Sequence, residues 1–525
     1  MKKSDKYPSD HIGKNSNKGS KIRIVMALIV AISAFIINCG INLIITPLVT
    51  NTIGVEAYGY VTLAKNFKNY ADIMMIALNA YAARFITLAY LRSDKKIFDK
   101  YYSTVFISDA IMGLAIFAVG FVCVMNLQRL INITSGLVND VKLLFLLTFA
   151  AFYFTTVSTA FSAIGYVKDR IDLLNIIKIF SYIVEVLIIV FCFILFTPKV
   201  SYMGLATACM AATTFIGTFI MSKKLIPEAN IRLKDFSFGA AKELVYSGIW
   251  NSANSLGNTL NSGLDLLISN LMLSGIVMGQ VSIAKTISNT VISFYGVISQ
   301  PFQPTFLQDY SDKDISRLID HFKSAMRFSG IITNVIFAGF CAAGLSFYHL
   351  WIPTQDVHLI YVLTIIAMIP SITEGCVSPL YYIYTLTLKN KFPCIVTILG
   401  GIANITCMYF LLRYTNTGAY AVLLTTAVVM TFINTVTNPI YMSISLKVPK
   451  RTFYPSIIRN IVACLVSTLV LCMITSRMTV YVGWGRLILR VVVIAIIGFV
   501  VQIPIIFNKT EFKAIMHMLK SRLSA

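Results

Sequence analysis

Apolar stretches of about 20 residues or more recur from residue 22 to residue 508, and no other feature restricts this chain as much. A stretch of that length crosses the hydrocarbon core of a bilayer as a helix, where every backbone polar group must be satisfied internally. The pattern predicts fourteen helices, near 24–48, 59–83, 101–125, 141–165, 172–196, 201–221, 243–271, 279–303, 325–350, 358–386, 392–412, 418–445, 454–475 and 486–507. The expected fold class is therefore an all-α polytopic membrane protein. Charged residues make up 13% of the chain, about half the ~25% of a soluble domain. That deficit excludes a soluble enzyme, a secreted disulfide scaffold and a disordered protein. The first apolar run lacks a small-residue cleavage site, so it reads as a retained helix rather than a signal peptide.

A formal charge of +22 would suit nucleic acid, but the placement of the basic residues gives it another meaning. The N-terminus, the even-numbered turns and the C-terminal tail hold most of the Lys and Arg. The odd-numbered turns hold Arg129, Lys142, Lys199, Arg413, Arg477 and Arg486. This alternation predicts a multi-pass membrane protein with both termini cytoplasmic, its basic loops facing anionic lipid headgroups. No nucleic-acid partner is needed. The longest inter-helix segments, 222–242 and 304–324, leave little room for a catalytic domain, and no GxxxxGK[ST] loop is present for ATP. The five histidines do not cluster, and the ten cysteines sit in apolar runs without a C-x-x-C pair. Neither an enzyme nor a metal site is expected, and no cofactor beyond a coupling ion, H+ or Na+.

An internal repeat is legible. Gly59-Tyr-Val-Thr-Leu-Ala-Lys65-Asn-Phe-Lys-Asn69 opens helix two, and Gly279-Gln-Val-Ser-Ile-Ala-Lys285-Thr-Ile-Ser-Asn289 opens helix eight. At a shift of 220 residues Gly, Val, Ala, Lys and Asn coincide. The shift equals six helices, so two six-helix lobes related by a pseudo-two-fold axis along the membrane normal are expected. The expected division is a disordered tail at 1–21, an N-lobe at 22–221, a linker at 222–242, a C-lobe at 243–446, two further helices at 447–508 and a tail at 509–525. Lobes of this kind transport by rocking about a path between them.

Polar residues within the spans require a reason, because a charge at mid-helix costs about 2.5–3.5 kcal/mol on insertion scales. Lys65, Lys68, Asn69, Asp72 and Asn79 fall on one face of helix two. Asn251, Asn254, Asn258, Asn261 and Asp265 form a stripe on helix seven, with Lys285, Ser288 and Asn289 on helix eight and Asn38 and Asn42 on helix one. These helices are equivalent pairs under the repeat, and their polar faces are expected to line one cavity. Lys65, Lys68 and Lys285 are the candidate cationic site. Asn38, Asn42, Asn69, Asn251, Asn254, Asn258, Asn261 and Asn289 are the candidate lining, and Asp72, Asp265 and Glu374 the candidate ion-coupling acids. The alternatives are snorkelling lysines and asparagines that merely glue helices together. For Lys178, Asp109 and Glu185, structural and functional roles remain equally open.

The run Ile45-Thr-Pro47-Leu…Ile53-Gly54-Val-Glu-Ala-Tyr58-Gly59 resembles the opening of bacterial polysaccharide flippases. These are the Wzx-like members of the multidrug/oligosaccharidyl-lipid/polysaccharide (MOP) exporter superfamily, and the resemblance covers essentially the whole chain. It implies a MATE-like fold that turns undecaprenyl-pyrophosphate-linked oligosaccharide from the cytoplasmic to the outer face. Glycosyltransferases and a glycan polymerase are the implied partners, and membrane lipids the surroundings. The lysines would meet the pyrophosphate as point charges, without arginine's bidentate fork. The arginine-rich first helix of lipid II flippases is missing here. A multidrug antiporter of the same fold and a membrane-embedded polymerase or glycosyltransferase are the alternative readings.

Overall fold

The computed structural model describes residues 17–387, 389–478, 480 and 483–507. The expected tails fall outside that range, apart from residues 17–21, which open the first helix. Among the described residues, and besides short turns such as Leu127–Leu130, fourteen long helical segments succeed one another. They are α1 (Asn17–Thr52), α2 (Val55–Leu91), α3 (Lys95–Met125), α4 (Ser135–Val167), α5 (Ile171–Leu195) and α6 (Ser201–Leu225). Next comes α7, which runs from Phe238–Asn258 through a π-helical turn, Thr259–Gly263, into Asp265–Met272. The remainder are α8 (Gly275–Ser311), α9 (Ile315–Trp351), α10 (Val357–Thr387), α11 (Lys391–Tyr414), α12 (Ala419–Ser445), α13 (Tyr454–Thr475) and α14 (Trp484–Ile506).

Twelve of them, α2–α6 and α8–α14, are long and apolar enough to cross a membrane. In α1 the apolar part described is the shorter Ile36–Thr52, and α7 is the polar helix, interrupted by its asparagines. The chain is a multi-pass, all-helical membrane protein. Two helices begin earlier at their basic ends than their apolar stretches do: α3 at Lys95 and α9 at Ile315. Each starts on an aspartate cap, Asp94 accepting from the Ile97 N–H and Asp314 from the Arg317 N–H, both at 3.0 Å. Hydropathy cannot detect a cap, because capped turns outside the bilayer are polar.

In the N-lobe, α4 packs against α3 and α6, and α5 against α6 and α1. In the C-lobe, α10 packs against α8, α9 and α12, while α11 packs against α7 and α12. The appended α13 and α14 pack on α9 and on each other. At the end of the bundle away from the basic turns, one core joins both lobes, including Ile41, Tyr58 and Phe145 from the first and Val281, Tyr348 and Ile360 from the second. At the basic end the cores separate. One contains Leu78, Phe98, Tyr102 and Phe161, and the other Phe306, Phe322, Leu380 and Phe453. The lobes are thus joined at the far end and divided toward the basic end, apart from the packing of α7 against α2 and α3.

The sequence repeat meets itself at the joined end. A Cβ added to Gly59 would lie 3.0 Å from the Gly279 Cα and 2.7 Å from the Met278 Cε. A Cβ on Gly279 would overlap the Val55 carbonyl oxygen. The matched glycines therefore bring the starts of α2 and α8 to backbone contact across the pseudo-two-fold. The Tyr58 hydroxyl shares hydrogen bonds with Thr46 at 3.0 Å and, across the lobes, with Thr286 at 2.8 Å. The Trp351 indole N–H donates to the Leu43 carbonyl at 2.6 Å.

Candidate functional site

The site is built around the π-helical turn of α7. A π turn closes i→i+5 rather than i→i+4, so carbonyls around it lose their usual helical partners and accept from elsewhere. From α2, the Asn66 amide donates to the Gly263 carbonyl at 3.2 Å and the Tyr70 hydroxyl donates to it at 2.6 Å. From α8, the Lys285 ammonium donates to the carbonyl of Ser262. Two helices, one from each lobe, are thereby tied to one irregular turn of α7. Lys65 and Asn69, one position before Asn66 and Tyr70 on α2, are exposed beside this seam.

Lys285 is paired, not open to the space between the lobes. It is 8% exposed and its ammonium contacts the carboxylate of Asp265, itself 1% exposed. The other Asp265 oxygen accepts from the Thr426 hydroxyl at 3.2 Å. The network continues through Asn404, which donates to Thr426 at 3.0 Å and to the Asn261 carbonyl at 2.6 Å. The Asn261 amide in turn donates to the carbonyls of Gly257, at 2.9 Å, and Thr397, at 2.7 Å. Asn261, Asp265 and Lys285 thus join α7, α8, α11 and α12 as buried structure.

The N-lobe lacks that pairing. At the repeat offset, the counterpart of Asp265 is Ile45, and among the described residues Lys65 forms no ion pair. Other equivalences hold. Asn38 and Asn42 correspond to Asn258 and Ser262, and in both helices the later side chain donates to the earlier carbonyl, at 3.0 Å and 3.2 Å.

Asn251, Asn254 and Asn258, earlier on α7, have a different setting. They line a cavity of about 380 Å³ with Trp250, Glu374 and Tyr381, bounded by α7, α10, α11 and α12. A second cavity of about 330 Å³ adjoins it and shares Glu374, Tyr381 and Thr385. The polar wall of the first is braced internally: the Tyr381 hydroxyl donates to the Asn434 oxygen at 2.7 Å, and the Tyr384 hydroxyl to the Asn438 oxygen at 3.1 Å. Asn434 lies in a second π-helical turn, Ile433–Thr437. Sequence reasoning missed Tyr381, Tyr384, Asn434 and Asn438. The i, i+4 spacing of the two asparagines and the Tyr-rich turn after Pro379 were the available signals.

The remaining candidates are dispersed. Lys68 and Asp72 are half-buried on α2, and Asn289 is exposed on α8. Asp109 is fully buried and accepts from the Asn79 amide at 2.9 Å, which holds α2 to α3. Glu185 accepts from Thr207 at 3.4 Å, and Lys178 is exposed. Among the described residues, the His349 and His358 rings lie 6.2 Å apart. All ten cysteines are free thiols. Among the described residues, no three His, Cys, Asp or Glu side chains come together as metal ligands.

No protein-family model matches the chain. A relative in Bacillus subtilis (strain 168), the uncharacterized membrane protein EpsK, is 27% identical over 435 residues, 81% of this chain and 84% of its own length. Among solved structures, the lipid II flippase MurJ in an inward closed conformation superposes with a TM-score of 0.67 at 16% identity, covering 91% of this chain and 98% of its own. A multidrug resistance MATE family transporter of the MOP superfamily, inward-facing, gives 0.64 at 13% identity over 80% and 99%. A MOP superfamily transporter from Pyrococcus furiosus gives 0.57 at 13% over 81% and 95%. Two joined six-helix lobes, a polar seam where α2, α7 and α8 meet and two appended helices on α9 are thus arranged in the fold of the MOP superfamily transporters.

Proposed function

We propose that this protein is a flippase that carries an undecaprenyl-pyrophosphate-linked oligosaccharide across the bacterial plasma membrane by alternating access. The observation that carries this reading is the C-lobe cavity, whose wall includes six asparagines together with Trp250, Tyr381 and Tyr384. Amides that both donate and accept suit sugar hydroxyls, and aromatic faces suit the apolar faces of sugar rings. Lys65, with Lys68 one turn on, supplies positive charge for the pyrophosphate, while the prenyl chain stays in lipid. The likeness to a lipid II flippase supports a lipid-linked substrate. Glycosyltransferases and a glycan polymerase are the proposed partners, with the basic loops facing the cytoplasm.

Of the three candidate coupling acids, Asp265 already has a counter-ion in Lys285. Glu374, at the junction of the two cavities, is therefore the proposed site of H+ or Na+ coupling, with Asp72 the second candidate. Glu374 beside Trp250 and Tyr381 is also what a cationic drug would meet, so drug extrusion is the competing reading.

The test is lipid-linked oligosaccharide flipping in reconstituted vesicles. Asn254→Ala with Asn258→Ala, and separately Lys65→Ala, should each reduce the rate about tenfold at equal protein level, the loss of about 1.4 kcal/mol of head-group contact. Unchanged rates in both, or drug resistance conferred by the wild type without glycan flipping, would overturn the reading.

A further inference from the structure

We propose that the turn between α3 and α4 is a strap that latches the two lobes at their joined end and is released when they part. Asn132 lies in this turn outside any helix, so its backbone groups need partners from elsewhere. Asn270 stands in the last turn of α7, in the other lobe, and the N–H groups of Leu273 and Ser274 both go to the Ser269 carbonyl, not to that of Asn270. The two asparagines answer each other. The Asn270 side-chain oxygen accepts from the Asn132 backbone N–H at 2.8 Å, and the Asn270 Nδ2 donates to the Asn132 carbonyl at 3.0 Å. The Asn132 Nδ2 donates to the Asn270 carbonyl at 2.9 Å. One pair of residues thus carries three hydrogen bonds between the lobes.

The strap belongs to the N-lobe. Ile131 is buried in the joined core, the Tyr60 hydroxyl donates to the Asn132 carbonyl at 2.9 Å, and the Thr134 hydroxyl donates to the Glu56 carboxylate at 2.8 Å. Asn270 is fully buried, so its amide depends on the strap for its hydrogen bonds. Because the strap moves with one lobe and Asn270 with the other, separation of this end breaks all three bonds together. The corresponding corner of the C-lobe, the turn between α9 and α10, reaches α1 more loosely. Besides the Trp351 bond it offers a single exposed pair, Thr354 donating to Asn51 at 2.7 Å. The multiply bonded corner is therefore the one that sets how readily this end opens. That the lobes part at all rests on the alternating-access reading above, whereas the contact itself does not.

Labelling of the full-length protein in detergent with a membrane-impermeant maleimide, read by mass spectrometry at each cysteine, tests it. In a Thr286→Cys background, Asn270→Ala removes two of the three bonds and should raise labelling at 286 about tenfold. Asn132→Ala removes one bond, at an exposed side chain, and should raise it about threefold. This milder variant decides the matter if Asn270→Ala fails to fold. Cys376, buried within the C-lobe, should stay unlabelled in both. Unchanged labelling at 286 in a folded variant would overturn the proposal, and so would labelling of Cys376 that rises in step, since the loss would then be of folding and not of a latch. Bridging Asn132→Cys to Asn270→Cys with a short bis-methanethiosulfonate should stop glycan flipping in vesicles until a reductant cleaves the bridge, and flipping that continues through bridged protein would also refute the strap. A wild type that flips no glycan refutes the transport reading instead, and the labelling result then judges the strap alone.

Discussion

A lysine in contact with a buried aspartate is electrically a closed unit, whereas the same residue without an acid presents its charge to any anion that comes near. Lys285 and Lys65 occupy equivalent positions in the repeat and illustrate the two cases, because position 265 is Asp and its counterpart at 45 is Ile. The matched lysines were legible in the sequence, but the partner was not. Asp265 and Lys285 lie 20 positions apart on two helices joined by a short turn, and no periodicity connects them. The pair makes a specific prediction. Removing one member strands a buried charge, so Asp265→Asn or Lys285→Met alone should cost about 3–5 kcal/mol. The double variant should lose less than either single one, since it leaves no charge behind. Thermal unfolding in detergent measures all three, and a double-variant loss equal to the sum of the single losses would show that the two side chains are not coupled. Lys65→Met should leave the melting temperature nearly unchanged.

At the scale of the element, α7 explains why a stripe that is regular in sequence divides in space. At 100° per residue, Asn251, Asn254, Asn258, Asn261 and Asp265 share a face. The π turn at Thr259–Gly263 inserts an extra residue, so the helix after the turn is rotated relative to the helix before it. Asn251, Asn254 and Asn258 consequently line the cavity, while Asn261 and Asp265 turn into the buried network. The polar content of the helix could be read from its residues; the phase shift could not, because a π turn depends on partners from other helices. Asn66 and Tyr70 are those partners. Tyr70→Phe and Asn66→Ala should each destabilise by about 1 kcal/mol, and more together, as the Gly263 carbonyl loses its last donor. Amide hydrogen exchange across 259–263 should quicken in the double variant, and exchange at the wild-type rate would remove α2 as the support of this turn.

For the whole molecule, the number of helices, the repeat and the appended pair were all legible, because bilayer thickness and backbone satisfaction leave few ways to place such a chain. Which end closes was not legible, since it depends on contacts between lobes that hydropathy does not record. The closed end rests on two glycines. With Gly59 and Gly279 the starts of α2 and α8 meet backbone to backbone, and a side chain at 279 has no space while the Val55 carbonyl is in place. Under the alternating access proposed above, those helix starts separate in the alternate state and the same side chain meets no obstacle. Gly279→Val should therefore destabilise the state seen here selectively. Overpacking of this kind costs about 1–3 kcal/mol, which shifts a two-state population about 5–150-fold. Thr286, half-buried at this contact and bonded to Tyr58, is a suitable reporter. Modification of a Thr286→Cys side chain by a membrane-impermeant maleimide, followed by mass spectrometry at that residue, should rise severalfold when Gly279→Val is added, and transport should fall because the lobes no longer return. Equal labelling in the two backgrounds with transport intact would mean that the glycine contact holds the structure together without gating it.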